Sequence, residues 1–330
     1  MAASPWCKAM LIAIALLVRV RLVLSFTTAP KVLRTLAVLR CSHNPLDDAS
    51  SIVGAISVPQ LTVVIPAYNE ELRILETLET CQRYLSDSDL WKQRSTILVV
   101  DDGSTDTTVD VVRRIGSAIS DRSVAIHCVS LETNQGKGAA LARGIREACE
   151  KFPDSLILTT DADGSPEIAG LEDLYASLET ILKDAADDGT VHWDQAAMIN
   201  GYRTYQSASA SRLIFRWGFR TVVKTLCGDL GVQDSQCGFK LMTAAAASRL
   251  YSNLHVPGWS HDVEVLFRAR HYGVQVAEHA VGWEDKAGSK LVASPCGVIA
   301  VSLKMFLEVL LIRWSYATGR WKFQVGAELK

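Results

Sequence analysis

The 330-residue chain predicts an α/β domain, an open and mainly parallel sheet with helices on both faces. Three observations predict it. The runs "LTVVIPAYNEE", "STILVVDDGSTD", "VAIHCVSLETN" and "SLILTTDADG" are near-continuously apolar, as strands buried on both faces must be. Each run leads into a polar turn. Segments with helical spacing lie between them, and strands alternating with helices signal parallel pairing.

The elements follow in order. "AMLIAIALLVRVRLVLSFTTA", Ala9 to Ala29, is about long enough to span a bilayer. Arg19 and Arg21 interrupt it, and each is costly at mid-bilayer. A signal anchor over residues 1–30 is the favoured reading. A cleaved signal peptide meets Pro30 where a small residue is wanted, and an interfacial helix is the third reading. Lys31, Arg34 and Arg40 outnumber Lys8, so the positive-inside rule leaves the main domain in the cytosol. Residues 31–59, with Asn-Pro, Asp-Asp and Ser-Ser, read as a linker.

The catalytic domain is expected over 60–295. Ile74, Leu75 and Leu78 place one helix after the first strand. Val109, Val111, Val112 and Ile115 place a second, and Leu141, Ile145 and Cys149 a third. "IAGLEDLYASLETILKD" reads as a helix, "AAMINGYR" as a strand and "ASRLIFRWGFRTVVKTLCG" as a helix mixing arginine with large apolar residues. "HDVEVLFRARHYG" is helical with Gly273 as its stop, and "VQVAEHAVGWED" is a strand. Residues 296–330 form an apolar helix and tail, read as a membrane-interface helix with a core helix as the alternative.

Composition narrows the function. A net charge of -2 argues against a nucleic-acid partner. Eight cysteines without any C-x-x-C suggest buried thiols of a reducing compartment rather than zinc or a disulfide scaffold. There is no G-x-x-x-x-G-K-[ST], and the "GKG" of Gly136 to Gly138 lacks the spacing of a dinucleotide fingerprint. Those glycines read as a tight turn opening a helix, with close backbone approach to a ligand as the alternative.

In open α/β sheets ligands bind at the carboxyl ends of the strands. Three of those ends are acidic: Glu70 and Glu71; Asp101, Asp102 and Asp106; Asp161 and Asp163. Ser104 and Asp106 are read as turn formers and caps. Converging carboxylates need compensation by a cation or by donors. "DAD" suits Mg²⁺ or Mn²⁺, hard ions that keep waters and bridge to a diphosphate.

"VVIPAYNEE", "VVDDGSTDTT", "NQGKGAAL" and "DADGSPE", in this order, resemble the family 2 glycosyltransferases of the GT-A fold. "GYR", "ASRLIFRW", "DSQCGFKL", "WSHDVEVLFRARHYG" and "VGWEDKAGSKL" resemble the polyisoprenyl-phosphate members of that family, especially those that load glucose onto a dolichyl carrier. The resemblance runs from about Leu61 to Trp321. It implies inverting transfer of glucose from UDP-glucose to dolichyl phosphate at the endoplasmic reticulum membrane, for protein N-glycosylation.

By that resemblance Pro66, Ala67, Tyr68 and Glu70 hold the nucleoside and Asp102 hydrogen-bonds the base. Asp161 and Asp163 are the DxD motif. Where relatives have Gln two residues after the second Asp, this chain has Ser165. The acceptor phosphate is already anionic and needs cationic positioning more than a strong base. Arg203 and Arg212 are the candidates, followed by Arg216, because guanidinium matches phosphate bidentately. Lys286, Ser289 and Lys290 are candidates to close over the diphosphate, with Gly288 as hinge. Asp234 is read either as orienting or activating the acceptor or as a buried turn residue. His261 is read as a helix cap, and Glu264 as a residue in reach of the site. Trp259 and Trp283 are read as interfacial or core aromatics. A dolichyl-phosphate mannosyltransferase, another polyprenyl-phosphate sugar transferase and a catalytically silent membrane scaffold are the alternatives.

Overall fold

The computed structural model describes residues 58–117, 124–205, 210–284, 286 and 295–323. The expected anchor and most of the linker therefore lie outside the described residues, as do Ser289 and Lys290. Among the described residues no helix is long and apolar enough to cross a membrane.

The first half alternates as predicted: β1 (Leu61–Ala67), α1 (Ile74–Asp87), β2 (Ser95–Asp101), α2 (Thr108–Ser117), β3 (Ala125–Ser130), α3 (Lys137–Lys151) and β4 (Leu156–Thr159). A 3₁₀ turn (Ile168–Gly170) then leads into α4 (Leu171–Ala185) and β5 (Ala197–Tyr205). After these come α5 (Ala210–Cys227), β6 (Lys240–Met242), α6 (Ala244–Tyr251), α7 (His261–Tyr272), β7 (Gln275–Trp283) and α8 (Pro295–Ala317). The sheet has seven strands in the order β3-β2-β1-β4-β6-β5-β7. Pairing is parallel except where β6 runs against β4 and β5.

Sheet burial explains the continuous apolar runs. Val63 and Ile65 of β1 face one core with Ile74, Leu78 and Leu85 of α1 and Leu174 and Leu178 of α4. Val64, between them, faces a second core with Leu141 and Ile145 of α3 and Leu250 of α6. Each such fully buried aliphatic side chain contributes roughly 1.5–3 kcal/mol. Leu75 turns outward, so the α1 stripe is narrower than its sequence spacing suggests. Gly144 lets α3 close onto the sheet, since a Cβ there would lie 2.5 Å from Val100 Cγ2 and 2.7 Å from Val64 Cγ1. Gly273 ends α7 in the left-handed conformation with φ 65, the stop its sequence predicts.

Two elements escape the sequence reading. β6 spans only three residues, too few for a periodic signal. α6 is alanine-rich, with little apolar contrast around its circumference; Thr243 caps it by accepting from the Ala246 amide. α8 packs against α5 and α7. It buries Val309, Ile312 and Ser315 and leaves Leu303, Leu307, Leu311 and Trp314 exposed.

Candidate active site

Parallel register brings the ends of β1, β2 and β3 level: Ala67 pairs with Asp101, and Asp101 with Ser130. Their loops then fasten to one another. Asn69 adopts a left-handed φ of 53, and its Oδ1 accepts from the Thr105 amide at 2.8 Å. The Asn69 amide donates to Ser104 Oγ at 2.8 Å, and the Glu70 amide to Thr108 Oγ1 at 2.7 Å. Asp106 accepts from the Thr108 amide and from the Glu71 amide. Ser104 and Asp106 are thus fasteners, as expected. Pro66 and the buried Ala67 end β1, and Tyr68 is exposed at the mouth of the loop.

Asp102 is buried and ties in a third loop. It accepts from the Gln135 amide at 2.7 Å and the Gly136 amide at 2.8 Å. Burial pushes its carboxyl up, and the two amides only partly offset this. The neighbouring glycines are needed for protein packing. A Cβ at Gly136, whose φ is 104, would lie 2.5 Å from the Pro257 carbonyl, and one at Gly138 would lie 2.6 Å from His261 Cβ. The close approach at "GKG" is thus to the protein segment preceding α7, whose Pro257 carbonyl accepts from the Gly138 amide at 2.8 Å.

The DAD turn follows β4. Asp161 Oδ1 lies 2.5 Å from Lys137 Nζ at the start of α3. Asp163 Oδ1 accepts from the Ser165 amide at 3.0 Å, and its Oδ2 lies 3.6 Å from Arg73 Nη1. Arg73 also grips Glu70 through two bonds of 2.6 and 2.7 Å. Burial works against the Lys137 charge, but Asp161, Asp262 and Asp163 outweigh it and raise its pKa. Sequence reasoning missed Lys137 and Arg73. Their signals were a lysine inside "NQGKG" and an arginine three residues after Glu70.

Among the described residues no three His, Cys, Asp or Glu side chains gather as a metal cage. Two hard carboxylates nevertheless fit a Mg²⁺ or Mn²⁺ that completes its shell from a diphosphate and water. Gly238 keeps the space beside them open, since a Cβ there would sit 2.6 Å from Asp161 Oδ1.

A second charged cluster lies at the end of β5. Asp234 is 3% exposed. Arg203 donates to it from Nε at 2.7 Å and Nη2 at 2.8 Å, and Arg216 of α5 adds Nη2 at 3.3 Å. Burial alone would raise the Asp234 carboxyl, but the two guanidiniums hold it below the usual carboxylate range. It is a poor proton acceptor near neutrality and a good anchor for two arginines. The Arg203 guanidinium also lies over the Trp283 ring at 5.2 Å.

The end of β7 stitches this cluster to the DAD turn. Pro166 bridges to Trp283, and the Glu284 amide donates to the Ser165 carbonyl. Lys286 forms ion pairs with Glu76 and Glu284, each at 3.4 Å, linking the segment after β7 to α1. Arg212 lies in the first turn of α5, and its side chain falls outside the described residues.

Two expectations are corrected. Ser260, not His261, is the N-cap residue of α7, and no side chain caps it. His261 is instead buried and bonded through Nδ1 to the Gly258 carbonyl, and burial lowers its pKa. Glu264 is spent on the His255 and Val256 amides and on the Tyr316 hydroxyl. Asp262 is paired with the buried Lys240 at 2.6 Å. The described cysteines are free, and Cys81, Cys149, Cys227 and Cys237 are buried, as the composition suggested.

Comparison with known proteins identifies the family. The glycosyl transferase family 2 model matches residues 62–247. A dolichyl-phosphate beta-glucosyltransferase from Homo sapiens is 35% identical over 274 residues, 80% of this chain and 78% of that protein. The Dictyostelium discoideum protein of that name is 34% identical, covering 80% of this chain and 77% of its own. The Saccharomyces cerevisiae one is 31% identical, covering 78% and 75%.

Among solved structures, the fold matches glucosyl-3-phosphoglycerate synthase from Mycobacterium tuberculosis, determined with Mn²⁺, UDP-glucose and glycerol 3-phosphate. The TM-score is 0.52 at 18% identity, over 82% of this chain and 86% of that one. Mannosyl-3-phosphoglycerate synthase from Rubrobacter xylanophilus matches with a TM-score of 0.50 at 13% identity, over 81% and 77%. With an acidic strand-end site on a GT-A sheet and this level of identity along most of its length, the chain belongs to glycosyl transferase family 2 and, within it, to the family of the dolichyl-phosphate beta-glucosyltransferases.

Proposed function

We propose that the chain transfers glucose from UDP-glucose to the phosphate of dolichyl phosphate with inversion, giving dolichyl β-D-glucosyl phosphate for N-glycan assembly. The observation that carries this reading is the stitching of two opposite charge clusters. The DAD carboxylates lie beside one end of the Pro166–Trp283 bridge, and the Arg203–Asp234–Arg216 cluster lies beside the other.

An acceptor phosphate oxygen attacks the anomeric carbon. The carbon–oxygen bond to UDP breaks, and the electron pair leaves with UDP. No proton need be abstracted, which suits a site whose buried Asp234 is already committed to arginines. Arg203 and Arg216, held in place by Asp234, orient the acceptor phosphate; Arg212 is a further candidate from the same helix. Pro66, Ala67, Tyr68 and Glu70 line the nucleoside loop, with Asp102 behind it. Asp161 and Asp163 would hold Mg²⁺ or Mn²⁺, which supplies Lewis-acid stabilisation of the leaving diphosphate when bound. Lys286, Ser289 and Lys290 are proposed to close over the donor.

A lipid acceptor also gives a use to the outer stripe of α8. Leu303, Leu307, Leu311 and Trp314 repeat at helical spacing and stay exposed, and Trp217 of the adjoining α5 is exposed too. We assign this stripe to the interface of the endoplasmic reticulum membrane, with residues 1–30 as a single-pass anchor and the catalytic domain in the cytosol.

The test is a transfer assay with detergent-solubilised protein, dolichyl phosphate and Mn²⁺ or Mg²⁺, offering UDP-glucose and GDP-mannose in parallel. Label entering the lipid phase from UDP-glucose alone is expected. Label from GDP-mannose instead would move the donor assignment to a mannosyltransferase. Label from neither, with no binding of either nucleotide, would favour a silent scaffold.

A further inference from the structure

We propose that Lys137 and Arg73 are built-in counter-ions of the DAD carboxylates, making divalent-cation binding conditional on the nucleoside diphosphate. The proposal rests on the donor-site reading above and adds two residues to it.

Each DAD carboxylate faces one basic side chain. Lys137 reaches Asp161 from the first turn of α3, and Arg73 reaches Asp163 from just before α1. Neither cation is a loose surface group, since the Lys137 and Arg73 side chains are each 16% exposed. Arg73 is fixed by its two bonds to Glu70, so its guanidinium is not free to turn fully onto Asp163. Its Nη1 is buried, points toward Asp163 at 3.6 Å, and makes no hydrogen bond. A buried guanidinium donor without an acceptor is costly unless a ligand supplies one. A diphosphate oxygen is the matching acceptor.

The local charges then couple the two ligands. Asp262, the other acid near Lys137, is already balanced by Lys240. Glu70 shares Arg73 with Asp163. A divalent cation arriving alone adds two positive charges beside two fixed cations. A sugar-nucleotide diphosphate arriving alone adds two negative charges beside three carboxylates. Arriving together they leave the local charge unchanged, while Lys137 and Arg73 pass from the carboxylates to the phosphates. In a partly desolvated site such charge mismatches are large. Cation and donor should therefore bind with strong positive coupling, and linkage makes that coupling reciprocal.

The experiment titrates the full chain in detergent with MnCl₂, reading free Mn²⁺ by electron paramagnetic resonance, with and without UDP-glucose and with no acceptor. The wild type is expected to bind Mn²⁺ at least about thirtyfold more tightly when UDP-glucose is present. Lys137→Met is expected to bind Mn²⁺ alone about tenfold more tightly than wild type and to lose coupling by a similar factor. Arg73→Met should change in the same direction, and Lys137→Arg should keep wild-type coupling. Circular dichroism verifies that each variant folds.

Unchanged or weaker Mn²⁺ binding in both methionine variants, with the wild type binding both ligands, would overturn the counter-ion assignment while leaving the active site in place. A wild type that binds neither Mn²⁺ nor UDP-glucose would overturn the donor-site reading as well.

Discussion

Replacing Asp234 with Asn tests whether this carboxylate positions arginines or accepts a proton. The substitution keeps shape and volume and removes the charge. Wild-type Asp234 receives two charge-assisted bonds from Arg203 and one longer contact from Arg216, at 3% exposure. Removing one partner of a buried pair costs about 3–5 kcal/mol. The arginine side chains are 18% and 29% exposed, and solvent takes up part of their charge once the partner is gone. That lowers the expected loss to about 2–4 kcal/mol. At about 2–4 °C per kcal/mol, the melting temperature should fall by roughly 4–16 °C.

The pH dependence adds a sign. The folded-state pKa of Asp234 is depressed, so its stabilisation is complete above the unfolded value of about 3.9 and is lost as pH falls through the folded one. The gap between wild type and Asp234→Asn should therefore be constant through neutrality and narrow only in acid. In the transfer assay the variant should show a raised KM for dolichyl phosphate, because both guanidiniums lose their anchor, with little change in UDP-glucose binding. An unaltered melting temperature and an unaltered acceptor KM would refute the positioning argument. A collapse of kcat alone, with a lost acidic limb in the pH profile, would instead make Asp234 a base.

Asp163→Ala should nearly abolish transfer, by two or more orders of magnitude, while leaving the fold intact. Full activity of this variant, or of wild type in chelator, would remove the metal role. Arg203→Ala should raise the acceptor KM or lower kcat about tenfold or more, with less effect on UDP binding by calorimetry. Leu307→Glu, on the exposed stripe of α8, should weaken binding to liposomes about tenfold or more while leaving the melting temperature within about 1 °C, since a side chain already exposed leaves no core cavity.

The alternation of strands and helices from Leu61 to Thr159 was legible because a two-sided parallel sheet requires unbroken apolar strands, and few other folds do. Asp102, Asp161 and Asp163 were legible for a related reason: carboxylates at successive strand ends share one edge of such a sheet. β6 and α6 were not legible, because three residues and an alanine run carry no periodicity.

The partners of the charges could be decided only in three dimensions. Lys137 meets Asp161 across 24 positions of sequence, and Arg203 meets Asp234 across 31. Local pattern holds no record of contacts made by chain crossing. The roles of Asp234 and Glu264 turned on the same point. Asp234 is saturated by arginines, and Glu264 by two backbone amides and by a tyrosine on α8. Residue type and spacing set which groups reach the strand ends. Packing set which of them face each other, because burial forces every charge to find a partner and the tertiary fold decides which partner is within reach.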